Sequence, residues 1–192
     1  MSAFENHPLQ PFYLPKACLL LLGVFPPPRN RWSMDFYYPN FQNDMWRIFG
    51  WVFFGDSEWF VVKGERRFCR ERIEAFLCER GIALGDAALR VVRQRGNASD
   101  RFLNVVEPFD LKGALQAMPQ CKTIAVTGEK ACDTLLTLID CVKPVVGVGE
   151  NFCFAGRTMR LYRLPSSSRA YPKPLTEKAA VYRAVFEEIG LL

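Results

Sequence analysis

Residues 17–44 read ACLLLLGVFPPPRNRWSMDFYYPNFQND. The first nine, ACLLLLGVF, form a nearly continuous apolar run with no polar alternation, the pattern of a strand covered on both faces, as in a parallel sheet. Proline has no N–H to give to a ladder, so the strand must stop by Pro26, the first of three consecutive prolines. A long loop follows, carrying Arg29, Asn30, Arg31, Trp32, Asp35, Tyr37, Tyr38, Asn40 and Asn43. In an open α/β sheet, ligands bind beyond the carboxyl ends of the strands. This loop either lines such a crevice or is a rigid aromatic connection that only packs.

The rest of the chain fits around that strand. Asn43 and Asp44 precede NDMWRIFGWVFF (43–54), where Met45, Ile48, Phe49, Val52 and Phe53 fall on one helical face, and Asn43 is placed to cap the helix. A second amphipathic helix is expected over 67–80, ended by Gly81. Residues 82–106 combine two short apolar runs with a basic loop, and Arg90, Arg93 and Arg95 read as a solvated edge, with a phosphate-binding strip as the alternative. Asp110 is placed to cap a short helix. KTIAVT (122–127) reads as a central strand, followed after Gly128 by a helix over about 129–140. PVVGV (144–148) reads as a short strand or extended connection, and RTMRLYRL (157–164) as a strand running into PSSSRAYPKP. A last helix is expected over about 176–189, capped by Thr176. Residues 1–16 hold three prolines and read as an extended arm. His7, the one histidine, is assigned a surface or capping place there, with a return to the cleft as the alternative. The order of elements predicts one domain with an α/β/α three-layer sandwich and a mostly parallel sheet.

Composition narrows the function. The chain has 192 residues, 49% hydrophobic, enough for a sizeable core and too many for disorder. A net charge of +5 permits a polyanionic partner without requiring one. None of the seven cysteines stands in a C-x-x-C pair, so zinc ribbons and common iron–sulfur spacings find no support. Most lie in apolar runs, which predicts reduced core thiols and a cytoplasmic protein. No secretory signal and no membrane-spanning run is visible. With a single histidine and no G-x-S-x-G, a Ser–His–Asp triad has no basis. The Walker and dinucleotide-binding glycine patterns are absent.

Three strand ends therefore carry the chemistry: Gly23-Val24-Phe25-Pro26 with its aromatic loop, Thr127-Gly128-Glu129-Lys130, and Leu164-Pro165-Ser166-Ser167-Ser168-Arg169. A run of serines followed by Arg offers hydroxyls, amides and a cation to phosphate. Together with Tyr37-Tyr38-Pro39-Asn40-Phe41-Gln42-Asn43-Asp44-Met45-Trp46 and Gly81-Ile82-Ala83-Leu84-Gly85-Asp86, these segments resemble, in order, the motifs of the uracil-DNA glycosylase superfamily. The resemblance is closest to its mismatch-specific and hypoxanthine-DNA (deoxyinosine) branches, and it covers most of the chain.

The resemblance implies an enzyme of base-excision repair. Such an enzyme flips a deaminated base such as uracil or hypoxanthine out of DNA and hydrolyses its N-glycosidic bond, without a cofactor or metal and as a monomer. Gly23, Val24, Phe25, Tyr38 and Thr127 would line the base pocket. Arg29, Arg31, Lys130, Ser166, Ser167, Ser168 and Arg169 would hold DNA. Two departures stand out: Phe25 occupies a position where most branches carry Asp or Asn to orient water, and Leu164 one where several carry His or Asn. By the match to the hypoxanthine branch, Asn43 becomes the leading catalytic candidate. Asp35 is the second and Asp86 the third. Two other readings remain at this point: a non-catalytic nucleic-acid-binding protein on the same fold, and a nucleobase binder that never handles duplex DNA.

Overall fold

The computed structural model describes residues 4–94 and 100–192, so Arg95 of the expected basic edge lies outside it. A five-stranded sheet has the order β3-β2-β6-β8-β7, built from β2 (Leu19–Gly23), β3 (Ile82–Asp86), β6 (Thr123–Thr127), β7 (Gly149–Phe154) and β8 (Arg157–Leu164). All its pairings are parallel except β7 on β8. The apolar run of β2 is fully buried because both its faces are covered. Leu20 and Leu22 pack toward α3 (Leu111–Ala117) and α4 (Glu129–Leu135). Leu19 and Leu21 pack toward α1 (Met45–Phe54), α2 (Arg70–Arg80) and α5 (Leu175–Glu188). Helices on both faces of a mostly parallel sheet are the expected architecture.

From β2 the chain passes through α1 and α2 to β3 on one side, and later returns through α3 to β6 on the other. Neighbouring connections thus leave β2 in opposite directions. The carboxyl end of β2 is a topological switch point, where an open α/β sheet leaves a crevice.

A second sheet departs from the sequence reading. β1 (Phe4–Asn6), β4 (Ala88–Arg93) and β5 (Leu103–Pro108) form an antiparallel sheet of order β1-β4-β5. Within the N-terminal arm Phe4–Asn6 is a strand, and the segment read as two short apolar runs with a basic loop holds β3, β4 and the start of β5. Arg93 is buried rather than solvated, because Glu5 of β1 and the carbonyl of Pro26 receive its guanidinium. Arg90 pairs with Asn6 and Glu107.

Element ends shift for local reasons. Asp44, not Asn43, is the N-cap of α1 and makes no side-chain cap bond, while Asn43, one residue earlier, accepts the Met45 N–H on its Oδ1 at 2.9 Å. The helix after Gly128 stops at Leu135, short of the expected 140. Thr176 does not cap α5, which starts at Leu175 behind Pro174. Of the two readings of 144–148 the extended connection holds, with Val146 making an isolated bridge to Arg163, and β7 follows it as a strand not expected from the sequence. β7 returns into β8 through Ala155-Gly156, both with positive φ, as a tight hairpin turn requires. The seven cysteines are all free, but only Cys121 and Cys132 are buried, while Cys18, Cys78 and Cys153 are exposed. No helix among the described residues is long and apolar enough to cross a membrane.

Candidate functional site

A cleft of about 510 Å³ opens at the carboxyl ends of β2, β6 and β8. That volume lies within the range of about 300–1,000 Å³ usual for small-molecule sites. Its floor is Gly23. The parallel register places Gly23 beside Asp86 of β3, and the Asp86 carboxylate lies across the glycine. A methyl group on Gly23 would overlap Asp86 Oδ1 and stand 3.2 Å from the Tyr38 hydroxyl, so no larger residue fits here.

Tyr38 forms one wall. It is a non-glycine residue at φ 51°, a left-handed conformation that costs an L-residue about 1–2 kcal/mol. Its hydroxyl lies 3.2 Å from Thr127 Oγ1 at the end of β6. Trp46, fully buried in α1, supports this loop by donating to the Tyr37 carbonyl at 3.1 Å and packing its ring edge-on against Tyr38. Burial, reinforced by the Asp86 charge, keeps the Tyr38 phenol protonated far above its usual range.

The serine loop forms the opposite wall and is tied down from below. Ser167 is buried, and its carbonyl accepts the Asp44 N–H at 2.9 Å. Lys178 of α5, 1% exposed, bonds both Asp44 Oδ2 at 3.1 Å and the Ser168 carbonyl at 2.8 Å. Arg169 Nε reaches Asp44 Oδ1 at 3.0 Å. The Tyr182 hydroxyl donates to the Pro165 carbonyl. One buried carboxylate at the head of α1 thus holds both the loop and the last helix.

Two carboxylates face the cleft. Burial pushes Asp86 above the usual carboxylate range, and hydrogen bonds from His7 and the Gly23 backbone pull it partly back. His7 Nε2 lies 2.8 Å from Asp86 Oδ2, with both side chains under 10% exposed. His7 Nδ1 lies 2.9 Å from the Leu9 carbonyl and 3.2 Å from the Leu9 N–H, so the Leu9 backbone holds this edge of the ring. Burial works against the charged imidazolium, but Asp86 more than offsets it and His7 ends above its ordinary value. The two groups form a coupled pair. Asp100 is pushed up to about 6 by burial and by the charge of Asp86.

This fold has a solved counterpart. The chain is similar to the solution NMR structure of "a putative Uracil DNA glycosylase from Methanosarcina acetivorans". The match has a TM-score of 0.62 and 22% identity, and covers 95% of this chain and 99% of the other. No protein-family model matches the chain, and no curated protein matches its sequence.

Within this uracil-DNA-glycosylase-like fold, the residues singled out from sequence divide into two groups. Gly23, Val24, Phe25, Tyr38, Thr127, Asn43, Arg31, Ser166, Ser167 and Ser168 all line the cleft. Asp35, Arg29, Lys130 and Arg169 do not. Asp35 is exposed and pairs with Arg29 at 2.6 Å, while the Arg29 guanidinium also lies over Trp32, so this ion pair braces the loop from outside. Asn43 is at the wall, but its oxygen is committed to α1, leaving the carboxamide NH₂ to offer to a ligand.

Sequence reasoning placed Asp86 third and His7 on the surface. Instead, His7 folds back beneath the cleft, its ring edge-to-face with Phe25 at 5.2 Å and stacked on Tyr37 at 6.1 Å. Asp100 was not singled out at all, and no local signal marks an aspartate in a one-turn 3₁₀ segment as a cleft residue.

Proposed function

We propose that this protein is a DNA glycosylase that accepts an extruded, deaminated base in the cleft and hydrolyses its N-glycosidic bond. The observation that carries the reading is the composition of the cleft at the β2 switch point. An aromatic wall at Tyr38, polar groups at Thr127 and Asn43 and a buttressed serine loop converge there in a uracil-DNA-glycosylase-like fold.

A glycosidic bond is unreachable inside the base stack, so the nucleotide must leave the duplex, and a pocket of this size suits one base. The ring of Tyr38 or Phe25 offers a stacking face. The Asn43 amide and the Tyr38 and Thr127 hydroxyls offer hydrogen bonds to a base edge and to the negative charge that develops as the base departs. The Ser166–Ser168 segment, with its hydroxyls and amides, suits the flanking phosphates, and Arg31 and Arg169 add positive charge at the rim. The protein would act as a monomer and without a cofactor.

A second reading, a nucleic-acid-binding protein without catalysis, is favoured by one set of facts. Phe25 and Leu164 are apolar and buried, the Asn43 oxygen is taken by the Met45 N–H, and Asp35 lies outside the cleft. The test is base release from labelled duplex oligonucleotides holding uracil, hypoxanthine, xanthine or a mismatched thymine, followed by alkaline scission, with binding measured in parallel. Release from at least one substrate, reduced at least tenfold in Asn43→Ala and unchanged in Asp35→Ala, supports the glycosylase. Tight, salt-sensitive binding without release supports the second reading. Neither release nor binding would refute both.

A further inference from the structure

We propose that Asp86, reaching from β3 across Gly23, is the catalytic carboxylate that the β2 motif lacks at Phe25, and that His7 is the positioning residue that fixes its orientation. The inference rests on the base-excision reading above.

The argument begins with register. β2 and β3 are parallel neighbours with Gly23 opposite Asp86, so a side chain at the end of β3 can cover the glycine that opens the β2 loop. Asp86 does this, with Oδ1 against Gly23 and an edge on the cleft. The Tyr38 hydroxyl stands over the same glycine, so an acceptor and a hydroxyl meet at one point of the floor. Phe25 is buried, its ring engaged with His7, and carries nothing that could orient a water.

Asp86 has the form of a held group rather than a loose surface acid. Oδ2 is taken by His7 Nε2, and the imidazole is fixed in turn by the Leu9 carbonyl and by packing on Phe25 and Tyr37. The arm that carries His7 is hydrogen-bonded to β4 through β1. A carboxylate, an imidazole and a carbonyl in series hold the ring in one orientation, the arrangement by which a third group steadies an acid–base pair. A salt link serving only to fasten the arm would not need to lie on the cleft floor.

In the step this assigns, Asp86 accepts a hydrogen bond from a water. The water oxygen bonds to C1′ as the C1′–N bond breaks, and that bond's electron pair leaves with the base. The water's proton passes to Asp86 and is released to solvent, and the base takes a proton from solvent. The balance is one water consumed, one sugar hydroxyl formed and one free base. His7 favours the charged form of Asp86 and holds its orientation. The other ionisable groups facing Asp86 are Tyr37, Tyr38 and Asp100, and Arg93 and Lys130 temper Asp100.

The test is single-turnover base release from duplex DNA containing deoxyuridine or deoxyinosine, with binding by fluorescence anisotropy, for wild type, Asp86→Asn, His7→Gln and His7→Leu. Asp86→Asn is expected to lose about 100-fold or more in rate with binding within about threefold. His7→Leu should lose about tenfold or more and move the acidic limb of the pH–rate profile upward, because Asp86 loses the partner that favours its charge. His7→Gln, which can still donate to Oδ2, should restore much of the rate. A purely structural His7 would lower the melting temperature without moving that limb.

Wild-type release that persists within threefold in Asp86→Asn overturns the assignment and leaves the glycosylase reading intact. If wild type releases no base, both fall together. If Asp86→Asn does not fold, the displaced limb in His7→Leu decides: a shift upholds the assignment and its absence overturns it.

Discussion

Replacing Lys178 with Met should destabilise the protein by about 3 kcal/mol and loosen the serine loop. Lys178 is 1% exposed, and its ammonium is shared between Asp44 Oδ2 at 3.1 Å and the Ser168 carbonyl at 2.8 Å. At 3.1 Å and an effective dielectric of about 20, the gross attraction to Asp44 is about 5 kcal/mol, much of it offset by desolvation. Met preserves the stem packing but strands a carboxylate whose side chain is only 11% exposed. Losing one partner of a buried pair costs about 3–5 kcal/mol, and the Arg169 contact that Asp44 keeps places this site at the lower end.

For a chain of this length the cost corresponds to a fall in melting temperature of about 6–12 °C. Urea denaturation of Lys178→Met, Asp44→Asn and the double variant would measure it. The double variant should be less destabilised than the sum of the singles by about 1–3 kcal/mol, because the second change removes the stranded charge. DNA affinity should fall in Lys178→Met without a change in salt slope, since the lost cation is buried and no phosphate contact is removed. Strictly additive energies, or a loss below about 0.5 kcal/mol, would refute the reasoning.

Three further outcomes follow from the structure. Asp100, raised from its ordinary 3.8 to about 6, holds its proton more tightly in the folded state. Its contribution to stability is present below pH 4 and lost as pH rises to 6, a cost of about 3 kcal/mol at most. Thermal melts should therefore show Asp100→Asn stabilised at pH 7.5 and near neutral at pH 3.5, and equal shifts at both would contradict the assignment. Gly23→Ala should displace the Asp86 carboxylate and lower base release by about 100-fold, as small misplacements at a reacting centre do. Arg157 donates to the carbonyls of Leu115, Met118, Pro119 and Cys121, stitching the end of α3 to the start of β6. Arg157→Met removes these bonds, the Met118 carbonyl keeping a second partner in the Cys121 N–H, and should cost about 2–4 kcal/mol in urea denaturation.

Much of the large sheet was legible because its strands carry their burial on their faces. Leu19–Leu22 and Thr123–Thr127 are short apolar runs flanked by Pro or Gly, and only a strand covered on both sides suits them. The second sheet was not legible. β1 has three residues, and β4 carries Arg90 and Arg93, whose charges break the apolar period. Those charges are accommodated by Glu107 and Glu5, partners that only the folded chain brings near. β7 failed for a related reason: as an edge strand it buries mainly Phe152, too little for a pattern. The cleft wall followed from strand ends, because a parallel sheet gathers its carboxyl termini on one edge. Its floor did not. The His7–Asp86 contact spans 79 residues, and nothing local marks either residue as half of a pair.

The placement of Asp86 bears on how an apolar residue comes to stand at Phe25. Two parallel strands in register present their ends about 4.8 Å apart, so the cleft floor can be reached from β2 or from β3. Once a carboxylate on β3 covers Gly23, a second acid at position 25 would crowd another carboxyl group against it in low dielectric and drive one of them toward its neutral form. A ring is then the better occupant, because it completes the packing around His7 and leaves the His7–Asp86 contact undisturbed. The arm is part of the same solution, since without β1 to hold it His7 would leave Asp86 buried and unpaired. The β1 strand, the Phe25 ring and the Asp86 carboxylate are thus interdependent through His7.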